Sequence, residues 1–146
     1  MPSPEILIPI IAFPAFALFW IGVCTLIARF GGWSKLAKEY PYIEAQRPLA
    51  GGKSFYVGFF QIDVVGKYNG VTRLTITPEG FLLKTIFIFK FGHHPIFVEW
   101  KKIKNITKED FLLIGTVYRI KLENVELKMS GEGPEELYNE YLKRQK

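Results

Sequence analysis

ILIPIIAFPAFALFWIGVCTLIA, residues 6–28, is an uninterrupted run of 23 uncharged residues between Glu5 and Arg29. A helix of this length spans roughly 34 Å at about 1.5 Å per residue, enough to cross the hydrocarbon core of a bilayer. The alternative is a buried helix of a soluble protein, but a chain of 146 residues has little interior to hide it. The run therefore predicts a transmembrane anchor over residues 1–30.

The charges around this run predict how it lies in the membrane. A cleaved signal peptide would begin with basic residues, and no basic residue precedes the run. The four basic residues nearest to the run all follow it: Arg29, Lys35, Lys38 and Arg47. The positive-inside tendency then predicts a single-pass protein of the cytoplasmic (inner) membrane, with the amino terminus outside and the rest of the chain in the cytoplasm.

Two features of the anchor go beyond its length. Pro9 and Pro14 each remove a backbone donor, which predicts a bend in the outer half of the helix. Phe13, Phe16 and Trp20 recur at spacings of three and four and so share one face. The large side chains of this aromatic ridge either simply contact lipid or form a packing surface for a partner helix or an apolar cofactor.

The remaining composition excludes several classes of protein. With 19 Lys and Arg against 14 Asp and Glu the net charge is only +5, too modest to indicate nucleic-acid binding. One cysteine and two histidines are too few for a disulfide framework or a common zinc site. We expect one compact domain beside the anchor, with no metal site and no cofactor.

Residues 31–53 predict a short juxtamembrane helix followed by a linker. Trp33, Leu36, Ala37 and Tyr40 share one face of the helix, which Pro41 ends. Two helical turns are not stable alone. The helix should therefore lie on the membrane surface with Trp33 at headgroup depth, or pack on the following domain.

Residues 54–146 predict a mainly-β domain. Apolar and polar residues alternate over residues 117–122 and again over 125–129, as in a half-buried hairpin. Similar patterns give seven strands, beginning near residues 55, 71, 81, 96, 111, 117 and 125. A helix follows residue 133, with an apolar face made of Leu137, Tyr138, Tyr141 and Leu142.

Seven antiparallel strands followed by one amphipathic helix resemble the pleckstrin-homology (PH) superfold, including its bacterial PH-like and GRAM-like branches. The resemblance implies a strongly bent sheet plugged at one end by the helix. A split barrel of other topology is the alternative. At a finer level the chain resembles small bacterial single-pass membrane proteins that have this layout but no established activity. The residues that carry this finer resemblance are Gly32, Trp33, Leu36, Ala37, Tyr40, Tyr68, Asn69, Gly80, Phe91, Gly92, His93, Pro95 and Trp100.

The sequence contains no catalytic constellation. His93 and His94 are adjacent in a predicted loop, where successive side chains diverge, and no thiolate or carboxylate lies at metal-ligand spacing beside them. No phosphate-binding glycine motif is present. We therefore expect a non-enzymatic protein.

Basic residues offer one candidate surface. Phosphoinositide-binding PH domains resemble one another in a basic first hairpin, but here Thr75 replaces the last arginine of that pattern. A looser basic surface remains, formed by Lys67, Arg73, Lys101, Lys102 and Lys104. It is either a solvated face that keeps the domain soluble or a surface attracted to anionic lipid.

A second candidate surface is apolar. Residues 81–89 predict one strand, and Phe87, Phe89 and Phe91 would place large groups on a face that the sheet cannot bury. Together with Phe13, Phe16, Trp20 and Trp33 they predict contact with the membrane, a partner or a second copy. The favoured function is a membrane-anchored interaction module, an accessory or assembly subunit of a larger membrane complex. The alternative is a PH-like domain that senses lipid headgroups.

Overall fold

The computed structural model describes residues 3–42, 52–64, 66–113 and 115–145. The chain begins with helices α1 (Pro4–Phe30) and α2 (Trp33–Glu39). α1 is continuous through both internal prolines. Its most apolar window of 18 residues has a mean hydropathy of 2.4, and none of that window is buried inside the protein. α1 is thus long and apolar enough to cross a membrane.

The rest of the described chain is mainly β. Its elements are β1 (Lys53–Val57), β2 (Phe59–Ile62), β3 (Gly66–Lys67), β4 (Thr72–Thr77), β5 (Gly80–Thr85), a 3₁₀ turn (Phe87–Phe89), β6 (Ile96–Glu99), a second 3₁₀ turn (Trp100–Lys102), β7 (Asn105–Phe111), β8 (Gly115–Lys121), β9 (Glu126–Ser130) and α3 (Glu132–Arg144). All pairings between these strands are antiparallel.

The strands form two sheets, and the chain crosses from one to the other between β1 and β2. Their orders are β1-β4-β5-β6 and β3-β2-β9-β8-β7. β1 and β2 are separated only by Gly58, so the chain passes directly from the first sheet, where Phe55 pairs with Leu74, to the second, where Phe60 pairs with Met129. The two sheets therefore enclose a common apolar core between them.

α3 packs on this core. Leu137 and Tyr141 are buried, and the ring of Tyr138 lies 5.4 Å from that of Tyr118. Gly133 allows the start of the helix to approach β1, because an added Cβ would lie 2.7 Å from the Cβ of Phe55. The predicted apolar face of the helix is thus largely confirmed, but it does not extend to Leu142, which is 42% exposed.

Two predicted strands were placed wrongly. The predicted strand over residues 81–89 ends at Thr85, which pairs with Thr72, the first residue of β4. One more backbone bond follows, from the Ile86 N–H to the Val71 carbonyl, and the chain then enters a 3₁₀ turn at Phe87. The strand predicted near residue 111 begins at Asn105 instead, and Leu112 and Leu113 form an exposed turn after it. The linker predicted up to residue 53 falls mostly on residues 43–51, outside the described residues.

Candidate functional site at the helix–domain junction

Trp33 lies at the centre of the junction between the helices and the β domain. It is the first residue of α2, and its side chain is 0% exposed. The rings of Phe60, Tyr68 and His93 surround it, with centroids 5.8, 5.3 and 5.4 Å away. Its indole Nε1 donates a 2.8 Å hydrogen bond to the carbonyl of His94. Trp33 therefore fixes α2 to two separate parts of the domain.

This placement decides between the two alternatives for the juxtamembrane helix. Leu36 and Ala37 are buried with Trp33 and belong to the same core as the sheets. α2 therefore packs on the domain. The prediction that Trp33 belongs to a membrane or partner face is wrong, because the surrounding rings leave none of its surface accessible.

The end of α1 contacts the domain closely. Gly66 of β3 packs directly against the carbonyl oxygen of Gly31, leaving no room for a side chain at position 66. The Tyr68 hydroxyl donates a 3.3 Å hydrogen bond to the carbonyl of Ile27. Burial raises the pKa of Tyr68 to about 12, so the phenol stays neutral and keeps this proton. These contacts join the last turn of α1 to the second sheet.

A third contact lies farther back along α1. The Trp20 Nε1 donates a 2.7 Å hydrogen bond to the carbonyl of Ile88, and the Trp20 ring lies 5.4 Å from that of Phe89. Gly92, with φ of +75°, lies so close to α1 that an added Cβ would be 2.8 Å from the Cα of Thr25. The segment from residue 86 to 92, which we call the helix-side loop, therefore runs along the second half of α1.

The helix-side loop changes the interpretation of the predicted apolar surface. Phe87 and Ile88 are 73% and 57% exposed, whereas Phe89 and Phe91 are partly covered. Phe13 and Phe16 are exposed on α1, as a lipid- or partner-facing ridge requires, and the Phe16 ring stacks on Trp20 at 6.4 Å. Part of the ridge is thus already covered by the protein's own loop.

The five predicted basic residues are not brought together by the fold. Lys67 lies in β3 of the second sheet, Arg73 in β4 of the first, and the three lysines lie in or just after the second 3₁₀ turn. Lys101 also pairs with Glu99 at 3.2 Å. These residues occupy three separate places and do not form one binding site.

The two histidines diverge, as their adjacency in a loop predicted. His93 is buried beside Trp33, while His94 is exposed. The His93 Nδ1 lies 3.1 Å from the carbonyl of Phe91, so the neutral ring donates there, and Nε2 has no partner in the described residues. Across the described ranges, no group of three His, Cys, Asp or Glu side chains is placed to hold a metal ion.

Sequence reasoning missed one group of residues at this junction. Arg29, Ser34 and Lys38 line a cavity together with His94 and the segment that follows Gly92. From the sequence, Arg29 and Lys38 indicate the orientation of the membrane helix, and Lys38 is also expected near anionic lipid if α2 lies on the membrane surface. Their separation from residues 92–95 by more than fifty positions gives no local signal that they share a cavity.

Burial of His93 gives the junction a pH dependence. Burial lowers the pKa of His93 below its usual 6.5, and the neighbouring His94 adds to the effect. The folded state therefore binds fewer protons than the unfolded state between the lowered pKa and 6.5, and stability should fall as the pH decreases through that window. Thermal unfolding in detergent between about pH 7.5 and pH 5 should show this decrease, which His93→Phe should reduce and His94→Asn should leave in place. Equal pH slopes in wild type and His93→Phe would contradict the assignment.

No protein-family model and no curated protein matches the sequence. Membership of a bacterial PH-like membrane family therefore stays a prediction from the residue pattern. The proposed function is based on the contacts between α1 and the β domain.

Proposed function

We propose that this is a non-enzymatic, single-pass protein of the cytoplasmic membrane, whose cytoplasmic β domain is fixed to its own anchor and binds another membrane protein. Its role is that of an accessory or assembly subunit. The observation that carries this proposal is the helix-side loop, an irregular segment with exposed Phe87 and Ile88 lying against an apolar helix.

The depth of this loop follows from the length of α1. Trp20 lies sixteen residues after Pro4, or about 24 Å along the helix axis, whereas the hydrocarbon core is about 30 Å thick. Even if the core begins at the first residue of α1, the bond between Trp20 and Ile88 lies about 6 Å inside it. Any later start or any tilt places the loop deeper.

An irregular backbone at that depth has to be buried by protein. Exposed non-helical segments do not occur in contact with lipid tails and are tolerated where protein buries them. The loop satisfies several of its own polar groups, since Phe89 and Lys90 donate backbone bonds to Ile86 and Phe87, and Trp20 bonds to Ile88. Two large apolar side chains nevertheless stay uncovered on it. This supports a protein partner at this position over lipid alone.

The chemistry of the surface describes the partner. On α1, Phe13 lies one turn before Phe16, and ring contacts connect Phe16 to Trp20 and Trp20 to Phe89. The exposed Phe87 belongs to the same 3₁₀ turn as Phe89 and extends this apolar surface onto the domain. Lys90 lies at its edge with its ammonium 4.2 Å from the centre of the Phe87 ring and without an acidic partner in the described residues. A transmembrane helix of another subunit or a second copy, with a hydrogen-bond acceptor near Lys90, fits this surface.

The orientation and the finer fold are part of the same proposal. Arg29, Lys35 and Lys38 all follow the apolar run, which supports a cytoplasmic domain. Two antiparallel sheets connected directly through β1 and β2, with a C-terminal helix packed on their core, support a PH-like domain over a split barrel of other topology. Headgroup sensing by the predicted basic surface is less favoured, because its residues lie apart.

Site-specific photocrosslinking in native membranes tests the partner. A benzophenone amino acid at Phe16 or at Phe87 should give the same discrete protein adduct, since both positions belong to one surface. Leu18 is the matched control, because it is equally apolar and exposed but lies two residues from Phe16 and Trp20 and so faces elsewhere. Protein adducts from none of the three positions, or equal adducts from Leu18, would overturn the proposal.

A further inference from the structure

A large cavity in the described residues lies beside the end of the helix-side loop. It has a volume of about 660 Å³ and is formed where the last turns of α1, the helix α2 and residues 92–95 meet. Arg29, Lys38 and His94 line it, with the hydroxyl of Ser34. A volume of this size is typical of pockets that hold small organic ligands.

The charged side chains described in the lining of this cavity are all basic. Two permanent cations line it, and no carboxylate is among its lining residues in the described chain. Among the residues that the structure describes, neither Arg29 nor Lys38 makes an ion pair, whereas Lys101, Arg119 and Lys143 do. Arginine binds phosphate oxygens in a bidentate manner, and lysine binds them as a point charge. The cavity is therefore suited to an anion that carries phosphate.

The position of the cavity relative to α1 indicates the rest of the ligand. Arg29 is the first charged residue after the apolar run, so the cavity lies where that run meets water. Leu18, Thr25 and Arg29 lie at spacings of seven and four and share one face of α1. Leu18 is exposed, and it leads from the cavity toward the centre of the apolar run. A ligand with a phosphate in the cavity could place an acyl chain along this face.

We infer that this cavity binds the headgroup phosphate of an anionic phospholipid, with Arg29 and Lys38 as its ligands and an acyl chain along Leu18. The site differs from the basic surface expected from sequence, and it requires no protein partner. It depends on the membrane placement of α1 that the proposed function also uses. Its role is to fix the depth and rotation of the domain at the bilayer surface.

A lipid titration of the purified full chain in mild detergent tests this site. The probes are dioctanoyl phosphatidylglycerol, dioctanoyl phosphatidylcholine and glycerol 3-phosphate, and the readout is the melting temperature of the β domain. Phosphatidylglycerol should give a saturable increase. The Arg29→Gln/Lys38→Gln variant should weaken its apparent affinity about tenfold or more. Phosphatidylcholine and glycerol 3-phosphate should give no saturable shift at the same concentrations.

Matched variants separate a site from general attraction of charge. Lys101→Gln/Lys102→Gln also removes two positive charges, but from exposed positions outside the cavity. This variant should keep the wild-type affinity within about twofold. Lys38→Glu changes one exposed side chain of α2 and should weaken the affinity further than Lys38→Gln. Circular dichroism checks that each variant is folded.

Three results would overturn the inference. The first is equal loss of affinity in both double variants, which would indicate non-specific charge. The second is saturation by glycerol 3-phosphate, which would indicate a soluble phosphate ligand. The third is no saturable shift with phosphatidylglycerol. Because the titration uses isolated protein, none of these results affects the crosslinking test of the proposed partner.

Discussion

Replacing Trp33 with alanine should lower the free energy of unfolding by about 3–5 kcal/mol, the range for removing a fully buried aromatic side chain. Trp33 is 0% exposed and contacts rings from β2, the segment after β3 and the loop before β6. Its loss would leave a cavity between α2 and the domain and would remove the bond to the His94 carbonyl. Urea unfolding in detergent micelles, followed by the circular dichroism of the sheets, measures the effect.

Two controls accompany this variant. Trp33→Phe keeps most of the ring volume but loses the indole donor, so it should cost about 1–2 kcal/mol. Phe30→Ala removes a large aromatic side chain nearby that is exposed at the end of α1, and should change stability by less than about 0.5 kcal/mol. If Trp33→Ala were as mild as Phe30→Ala, α2 would not be part of the core.

Gly66→Ala should separate the domain from the end of α1. The added methyl group would overlap the backbone carbonyl of Gly31, and a backbone atom cannot move aside as a flexible side chain can. We expect a loss of about 3 kcal/mol or more in the free energy of unfolding. We also expect the bond between Tyr68 and the Ile27 carbonyl to break, because Tyr68 lies two residues further on.

The matched control for Gly66→Ala is Gly58→Ala, between β1 and β2. The nearest atom to a Cβ at position 58 is the Ser130 Oγ at 3.8 Å, an ordinary contact distance. This variant should change the free energy of unfolding by less than about 1 kcal/mol. Hydrogen exchange at the Tyr68 and Gly31 amides distinguishes the two variants, since only Gly66→Ala should increase it. Equal exchange in both would show that the close approach is not needed for the junction.

The local patterns of the sequence were sufficient to predict the main elements. The uncharged run of residues 6–28 corresponds to α1, the alternation over residues 117–129 to the hairpin of β8 and β9, and the face of Leu137 and Tyr141 to α3. In β8, β9 and α3 the apolar residues recur at the period of the element, and the face that they form is the buried one. Periodicity is reliable where one face is buried and the other is in water.

The same reasoning failed at residues 86–91. The unbroken apolar run over residues 86–89 is equally consistent with a strand buried on both faces and with an irregular segment that leaves the sheet. In the structure the last backbone bond to this side of the sheet joins Ile86 to the Val71 carbonyl, and Trp20 then supplies a bond to Ile88 from 68 positions away. Neither fact is visible in the local pattern.

The junction was predictable only in part. A seven-residue helix with Trp33 on its apolar face has the same pattern whether it lies on a membrane or packs on a domain. What decides its placement are Phe60, Tyr68 and His93, which come from three other segments. Trp33, Tyr68 and His93 were among the residues that carried the family resemblance, and the structure brings all three into contact. Their shared presence in that resemblance was the only sequence signal we find for a contact between these three residues.

The central claim is that the domain is fixed against α1, so that the helix-side loop lies inside the bilayer. A spin label at Phe87, introduced as Phe87→Cys in a Cys24→Ala background and reconstituted into liposomes, measures this most directly. Phe87 is 73% exposed, so the label should be tolerated. A label at the exposed Lys108 of β7 is the reference for water.

The two labels should differ in accessibility to oxygen and to a water-soluble nickel complex. We expect the Phe87 label to lie about 6 Å or more below the start of the hydrocarbon core, exposed to oxygen and shielded from nickel, while the Lys108 label shows the reverse. Equal exposure of both labels to nickel would place the loop in water and contradict the account.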